Sequence, residues 1–546
     1  MVQTDVLVVG GGPVGLAAAL GLGRLGVAVT LVERHPGAHP HPRARSINVR
    51  TCEIFASWGV LADIEKVCLP PAWAEHMIFC RTLAEPEVGR VHMNVQGTVD
   101  GVEHSPYGWL LSAQDLIEPV LRRHAESLPG ADLRFSTSLV GFDQDGDGVT
   151  AQLVDADGAS HELRAKWMIG ADGAGSAVRR ALGVPLDGQD EMAYLVNTYF
   201  RADLGPWTEH RPAVLYWTTK PARNVFQKID AERWQCQILY SRDEYQPQDF
   251  DRARAADWIR ASVGVDDLDV DVVNAIPWTM ASAVAERFRV GRVLLAGDAA
   301  HQVVPTGGFG MNTGIQDSWN LACKLAAVLG GTAGEALLDT YHEERWPIAQ
   351  EVAAWALRNS GAVGAIRRSI EGGASAADLA LVRGYTNFAG ADLGMRAPSG
   401  AFVDDGSAAV AVDDPMITYV SDARPGQRAP HLWLDGPAGR SSILDLYGQG
   451  FVLVVSAGGR ADEWDVAART AGVDVAVHRV VGAASSPGPA PTDWSDAAGE
   501  LERRYRVGSG GAVLVRPDGV VAARWSTAPP APTTALAEAV RVVLRR

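Results

Sequence analysis

Six residues near the start of the chain, Gly10-Gly11-Gly12-Pro13-Val14-Gly15, limit the fold more than any other feature. They follow an apolar run, Asp5-Val6-Leu7-Val8-Val9, that reads as a buried parallel strand. They lead into residues 14–25, which have the composition of a helix. Gly10, Gly12 and Gly15 are spaced G-x-G-x-x-G. The first glycine permits a tight turn, the second lets backbone approach a pyrophosphate, and the third lets the helix pack closely on the strand. The helix N-terminus then points at the phosphates. Residues 27–32 read as the next strand, and Glu33 at its end is placed to bind a ribose hydroxyl pair. The pattern specifies a dinucleotide without choosing among NAD, NADP and FAD. A glycine-rich turn with no ligand explains less, because strand, helix and Glu33 all fall where a dinucleotide needs them.

A second segment has the same logic. Residues 290–296 read as a buried strand that delivers Gly297-Asp298-Ala299-Ala300-His301, and Pro305-Thr306-Gly307-Gly308-Phe309-Gly310-Met311-Asn312 follows. The glycine run 307–314 opens a helix with Ile315, Trp319, Ala322, Ala326 and Leu329 on one face. Its first N–H groups, from about Gly310 to Asn312, form a positive pole. A third apolar strand runs into Gly170-Ala171-Asp172-Gly173, before a short helical stretch, 176–182. Asp172 stands where ligands bind in a doubly wound sheet, or is a plain strand-end turn. Arg43 and Arg45, in a loop rich in Pro, His and Arg, either pair with pyrophosphate or ribityl oxygens or are simply solvated. Residues 50–58 read as a helix; Ser112 is a candidate N-cap for another, with Asp115 three residues on. Residues 133–140 and 149–154 read as strands joined by a turn at 145–148.

Residues 187–285 change to a β-rich character. Trp234, Cys236, Ile238 and Tyr240 alternate with their neighbours at the period of a half-buried strand. An antiparallel sheet with one apolar face could roof a pocket over the cofactor. Tyr216, Trp217, Phe226 and Trp234 are candidate pocket-lining aromatics, the alternative being ordinary core.

Length and composition set outer bounds. A chain of 546 residues holds two or three domains. A net charge of -16 argues against nucleic acid or an anionic membrane as partner. Residues 6–23 carry no charge, but Gly10-Gly11-Gly12-Pro13 would break a membrane span there. The five cysteines form no C-x-x-C pair and are odd in number, so neither a disulfide framework nor zinc is expected. Prolines interleave with His35, His39 and His41, which argues for an extended loop and against a metal site. The expected location is the cytoplasm, and the expected state is monomer or homodimer.

In order and spacing, the segments 10–15, 170–173 and 297–312 resemble the class A flavoprotein aromatic hydroxylases, the para-hydroxybenzoate hydroxylase family. Pro42-Arg43-Ala44-Arg45-Ser46-Ile47-Asn48 is similar to the large-substrate branch, which includes phenol hydroxylases and hydroxylases of aromatic polyketide antibiotics. The resemblance covers about residues 4–360. It implies an α/β fold with a Rossmann-type FAD-binding domain (1–186 and 286–390), an inserted antiparallel β-sheet substrate domain (187–285) and a thioredoxin-like C-terminal domain (391–546). It implies FAD held by Gly10, Gly12, Val14, Gly15, Glu33 and Arg34 at the ADP half, and by Arg45 and Gln114 at the phosphates and ribityl chain. Asp172 is linked to FAD and to NAD(P)H use, and Asp298 to the ribityl or pyrophosphate region. Pro305, Gly308, Gly310, Met311 and Asn312 would line the isoalloxazine, where the helix pole stabilises reduced flavin.

The implied reaction is NADPH- or NADH-dependent hydroxylation of a polycyclic aromatic phenol or quinone by O2, through a flavin C4a-hydroperoxide. The flavin does the chemistry; among side chains, Arg45 is a catalytic candidate and no base declares itself. Baeyer-Villiger insertion into a polyketide ketone, an antibiotic-inactivating hydroxylation and, from another class, a non-catalytic flavin-binding partner are the alternatives. A flavin-dependent halogenase is disfavoured: no tryptophan pair precedes Ile276-Pro277, and no lysine lies between Lys66 and Lys166. The C-terminal unit has no cysteine after Cys323, so a structural or assembly role is expected, with residues 485–492 as a Pro-rich surface loop.

Overall fold

The computed structural model describes all residues except 1, 39–40, 42, 95–96, 100, 371–375, 437 and 483–493. His39, Pro40, Pro42 and the Pro-rich loop 485–492 therefore lie outside the described residues.

The first sheet is built on Val2–Val9, which pairs in parallel with Val29–Glu33 on one side and Ser160–Gly170 on the other. Ala131–Phe135 extends it beyond Val29–Glu33, and Val293–Leu295 pairs in parallel with Ser160–Gly170. Val6, Leu7 and Val8 are fully buried because helices cover both faces of a parallel sheet. The helices Pro13–Arg24 and Phe309–Leu329 pack on each other across it. Residues 133–140, expected as one strand, are parts of two, Ala131–Phe135 and Ser138–Gln144. The break is Ser136, whose φ of 57° no strand accommodates. The helix expected to be capped by Ser112 is Gln114–Glu126, with Ala113 at its N-cap. Ser112 is instead drawn inward, its hydroxyl donating to Val67 O at 2.7 Å.

The second sheet lies over the cofactor side of the first. Its order is His301–Gln302, Asp271–Ala285, Leu186–Arg201, Arg233–Tyr240, Asn224–Lys228, Leu215–Thr218, His76–Cys80 and Gly89–His92. All its pairs are antiparallel except Leu215–Thr218 with His76–Cys80. It thus recruits two strands from residues 76–92, outside the stretch 187–285 that supplies most of its other strands.

The third sheet has, among the described residues, seven strands within residues 433–525, with Val475–Gly482 at its centre and Phe451–Ser456 next to it, between a parallel and an antiparallel neighbour. The helices Asp462–Thr470 and Pro532–Val543 pack together on it. Buried ion pairs join this domain to the first. Arg516 reaches across to Glu344 and Arg428 to Glu53, while Asp518 within this domain and Lys324 within the first complete the Arg516–Glu344 cluster. Among the described residues, no helix is long and apolar enough to cross a membrane.

Candidate active site

Three strands end on one row of the first sheet. Val9 stands beside Gly170, and Gly170 beside Leu295. Gly10 N–H donates to Val32 O at 2.8 Å, Ala171 N–H to Val9 O at 2.9 Å, and Ala296 N–H to Gly170 O at 3.0 Å. The glycine fingerprint, Asp172 and Gly297-Asp298 therefore leave the carboxyl edge of the sheet side by side.

Close packing shapes the groove that results. Gly10 has φ of 110° and Gly297 of 61°, conformations open to glycine. A Cβ on Gly15 would lie 3.0 Å from the Gly10 carbonyl carbon, and one on Gly314 would lie 3.0 Å from Gly297 Cα. The Val14 side chain fills the space between Gly297 and Gly314. It bolts the first helix, the Gly297 turn and the helix Phe309–Leu329 together. Gly12 and Gly310 differ: a Cβ there would first meet Glu118 Oε1 and Asp298 Oδ1, each at 4.0 Å. These two glycines border open groove, at the N-termini of two helices whose free N–H groups suit phosphate and flavin oxygens. The donors and the room fit FAD.

Glu33 is held at its strand end, accepting from Gly11 N–H at 2.7 Å and from His35 N–H at 2.8 Å, with lone pairs left for a ribose. Arg34 is exposed and donates to His35 Nε2 at 3.2 Å. Gln114 accepts from Ala44 N–H at 3.3 Å and donates to Glu118 Oε1 at 2.6 Å, which fixes the arginine loop against the groove. Asp298 opens on the groove. Desolvation raises its pKa, against the opposing fields of His301 and the exposed Arg43. Beneath it, the carboxylate of Asp317 accepts from Arg345 Nε at 2.6 Å and lies 2.6 Å from His301 Nε2, all three side chains buried. Burial opposes charge on Asp317, but Arg345 and His301 outweigh it and hold its pKa below the ordinary value. This buried triad anchors the Gly297-Asp298 turn.

At the far end, Gly308 caps the helix Phe309–Leu329 with φ of 69°. Asn312 donates to Gly308 O at 2.7 Å and Ser46 O at 2.9 Å, and accepts from Asn48 N–H at 3.0 Å. Its side chain thus clasps the loop to the helix, while Pro305 is exposed and Met311 buried.

Two side chains read from sequence as groove ligands have other partners. The Arg45 guanidinium is buried and donates to Lys228 O at 2.6 Å and Val214 O at 2.7 Å, tying the loop to the second sheet. Burial lowers its pKa to about 10. Asp172 accepts from Ser176 Oγ at 2.5 Å and from Ala177 and Val178 N–H at 2.7 and 3.1 Å, so it caps the short helix Ala177–Ala181. Arg43, not Arg45, is the arginine that remains exposed beside the groove.

The aromatic candidates separate by strand alternation. Tyr216, Phe226 and Trp234 share the face that carries Asn224, and Asn224 bonds Trp258 and Ser262 of the helix Arg252–Val263. That face is turned away from the cofactor domain, so the expectation that these three line the pocket is corrected: they are buried core. The opposite face carries Tyr199, which donates to Asp115 of the cofactor domain at 3.2 Å. Trp217 is on this face, in a row with Val225, Gln237, Asn197 and Ile276. Its indole N–H is buried and without a partner among the described residues. Burial along this strand alternates as expected, with Trp234, Cys236, Ile238 and Tyr240 buried and Gln237 and Leu239 partly exposed; Gln235, at 2 % exposure, is the exception.

A family model described as an FAD binding domain matches residues 3–356, and one described as the aromatic-ring hydroxylase C-terminal domain matches residues 422–546. The chain belongs to the FAD-dependent aromatic-ring hydroxylases. A putative polyketide hydroxylase of Streptomyces halstedii is 38% identical, over 99% of this chain and 96% of that protein. A 2,4-dichlorophenol 6-monooxygenase of Cupriavidus pinatubonensis is 35% identical, over 100% of this chain and 97% of the other. A solved ternary complex of aklavinone-11 hydroxylase with FAD and aklavinone superposes with a TM-score of 0.86 at 34% identity, covering 100% of both chains. The protein is a flavoprotein monooxygenase with FAD as cofactor, as the resemblance in sequence implied.

Proposed function

We propose that this hydroxylase acts on a polycyclic aromatic phenol or quinone of the polyketide type, consuming O2 and NADPH or NADH. The relatives include both polyketide and single-ring phenol oxidisers, so their names leave the substrate open. The observation that carries the reading is the sheet face turned to the cofactor domain. The row Trp217, Val225, Gln237, Asn197, Ile276 crosses five strands. At about 4.8 Å between neighbours the row is roughly 19 Å wide, more than one ring requires. Apolar ends with amides between them suit a flat fused-ring system bearing oxygens.

When bound and reduced, the flavin supplies the activation of oxygen at its C4a position. The chain's residues hold, orient and shield. Gly10, Gly12, Gly15, Glu33, Arg34 and Arg43 take the ADP half, and Asp298 the ribityl region. The loop from Pro305 to Asn312 takes the ring system, with the helix pole set against charge on the flavin. The second sheet excludes water and sets the substrate ring over that loop. The test is NADPH and NADH oxidation by FAD-loaded protein with and without a polycyclic aromatic polyketide, with products weighed under labelled oxygen. Stimulated oxidation with one labelled oxygen added supports the reading, and an unexpanded carbon skeleton separates hydroxylation from ring insertion. Oxidation without stimulation by the polyketide, but with stimulation by a single-ring phenol, would refute the substrate class.

A further inference from the structure

Asp392 lies outside every motif, in the short helix Ala389–Leu393 that precedes the C-terminal domain. Its carboxylate is buried and accepts from Trp109 Nε1–H at 2.6 Å and from Asn48 Nδ2–H at 3.0 Å. The backbone N–H of Val49 adds a third donor. No cation touches it among the described residues. Three converging donors are the arrangement that an ionised carboxylate requires and an apolar filler does not.

Two of these donors, Asn48 and Trp109, lead to the flavin loop. Asn48 is the N-cap of the helix Val49–Ser57, and its own N–H donates to Asn312 Oδ1 at 3.0 Å. Asn312 in turn donates to Gly308 O at 2.7 Å. Trp109 stacks on Phe388, with ring centroids 5.3 Å apart, and borders the space beside Gly308. Phe388 meets Phe309, the first residue of the cradle helix, at 5.7 Å. A shift of Asp392 would therefore move both sides of the loop from Gly308 to Asn312.

We propose that Asp392 is a positioning residue of the flavin site, a carboxylate supplied by the interdomain segment that sets the Asn48–Asn312 clasp beneath the isoalloxazine. The proposal rests on FAD binding by this cradle and is independent of which aromatic substrate is used. Burial raises the Asp392 pKa to about 7, with Trp109, Asn48 and Val49 opposing and Glu53 reinforcing the rise. The other groups near it are spoken for or neutral. Glu53 is paired with Arg428 and Arg50, the buried Cys52 thiol has its pKa pushed up, and Asp414 in the adjoining segment pairs with Arg358. The charge of Asp392 thus changes near neutral pH, and the clasp with it.

The experiment titrates FAD into apo-protein and follows the visible spectrum of the bound flavin from pH 5.5 to 8.5. Wild type is expected to show a spectral step near pH 7. Asp392→Asn is expected to lose that step and to bind FAD about tenfold more weakly, the worth of one charge-assisted hydrogen bond. Trp109→Phe keeps the carboxylate and most of the packing, and removes one donor that favours the charged form. It is expected to move the step to higher pH, which decides the matter even if Asp392→Asn does not fold. A folded Asp392→Asn protein with wild-type affinity and an unchanged step overturns the proposal. So does a step that Trp109→Phe leaves in place.

Discussion

Gly15 offers the sharpest test of the groove. Replacing it by alanine places a Cβ 3.0 Å from the Gly10 carbonyl carbon, and nearer still to the oxygen, where about 3.5 Å is the comfortable approach. Both offending atoms are backbone, so no side chain can swing aside. Gly10 is itself fixed by its N–H bond to Val32 O and by a φ of 110°. The helix Pro13–Arg24 must therefore back away from the strand turn, taking the N–H groups of its first turn out of reach of the phosphates. Overpacking of this kind costs about 1–3 kcal/mol. Expressed in binding, that weakens FAD roughly tenfold to a hundredfold. The assay is FAD titration of apo-protein by fluorescence quenching, with far-UV circular dichroism to confirm the fold. Gly175→Ala is the control, because a Cβ there meets nothing within 4 Å. If Gly15→Ala bound FAD as tightly as the control, the close-approach argument would be refuted.

Trp217→Ala and Gln237→Ala should each raise KM for the aromatic substrate about tenfold with kcat little changed, as for contacts made equally in ground and transition states. Tyr216→Phe and Phe226→Leu should lower Tm and leave KM alone; steady-state kinetics beside thermal melts separate the two faces. Breaking the interdomain cluster by Arg516→Met leaves Glu344 and Asp518 short of a buried partner and should cost about 3–5 kcal/mol, with chemical denaturation as the readout. Acid should loosen the same interface. Burial opposes ionisation of Glu53, but Arg428 and Arg50 outweigh it and hold its pKa below the ordinary value. Such a group stabilises the fold above the unfolded-state pKa, near 4, and that contribution is lost as pH falls through the lower folded value. The double variant Glu53→Gln/Arg428→Met should show a shallower fall of Tm below pH 5, and an unchanged slope would remove Glu53 from the account.

Much of the cofactor domain was legible because its signals are local. A glycine that must turn, a strand with no polar residue and a carboxylate at a strand end are each written in a few adjacent positions. They found the fingerprint, the Gly297-Asp298 turn and the helix that follows it. The same local reading failed where partners come from elsewhere. Ser112 has the chemistry of a cap but finds Val67 O first. Arg45 has the chemistry of a phosphate ligand but lies under the second sheet, where two carbonyls take it. Alternation along residues 234–240 marks two faces of a strand and cannot say which of them looks at the cofactor.

By itself the sequence determined that a dinucleotide-binding sheet forms, where its glycines must stand, and which family the chain resembles, since these depend on backbone sterics and spacing along one segment. Tertiary structure decided that three distant strand ends share one row, that residues 76–92 complete the second sheet, and that Trp217 and not Trp234 faces the cofactor domain. It also decided that Asp392, with no motif around it, reaches the flavin loop. Register and burial are set by contacts between segments far apart in the chain, and no local pattern records which segments will meet.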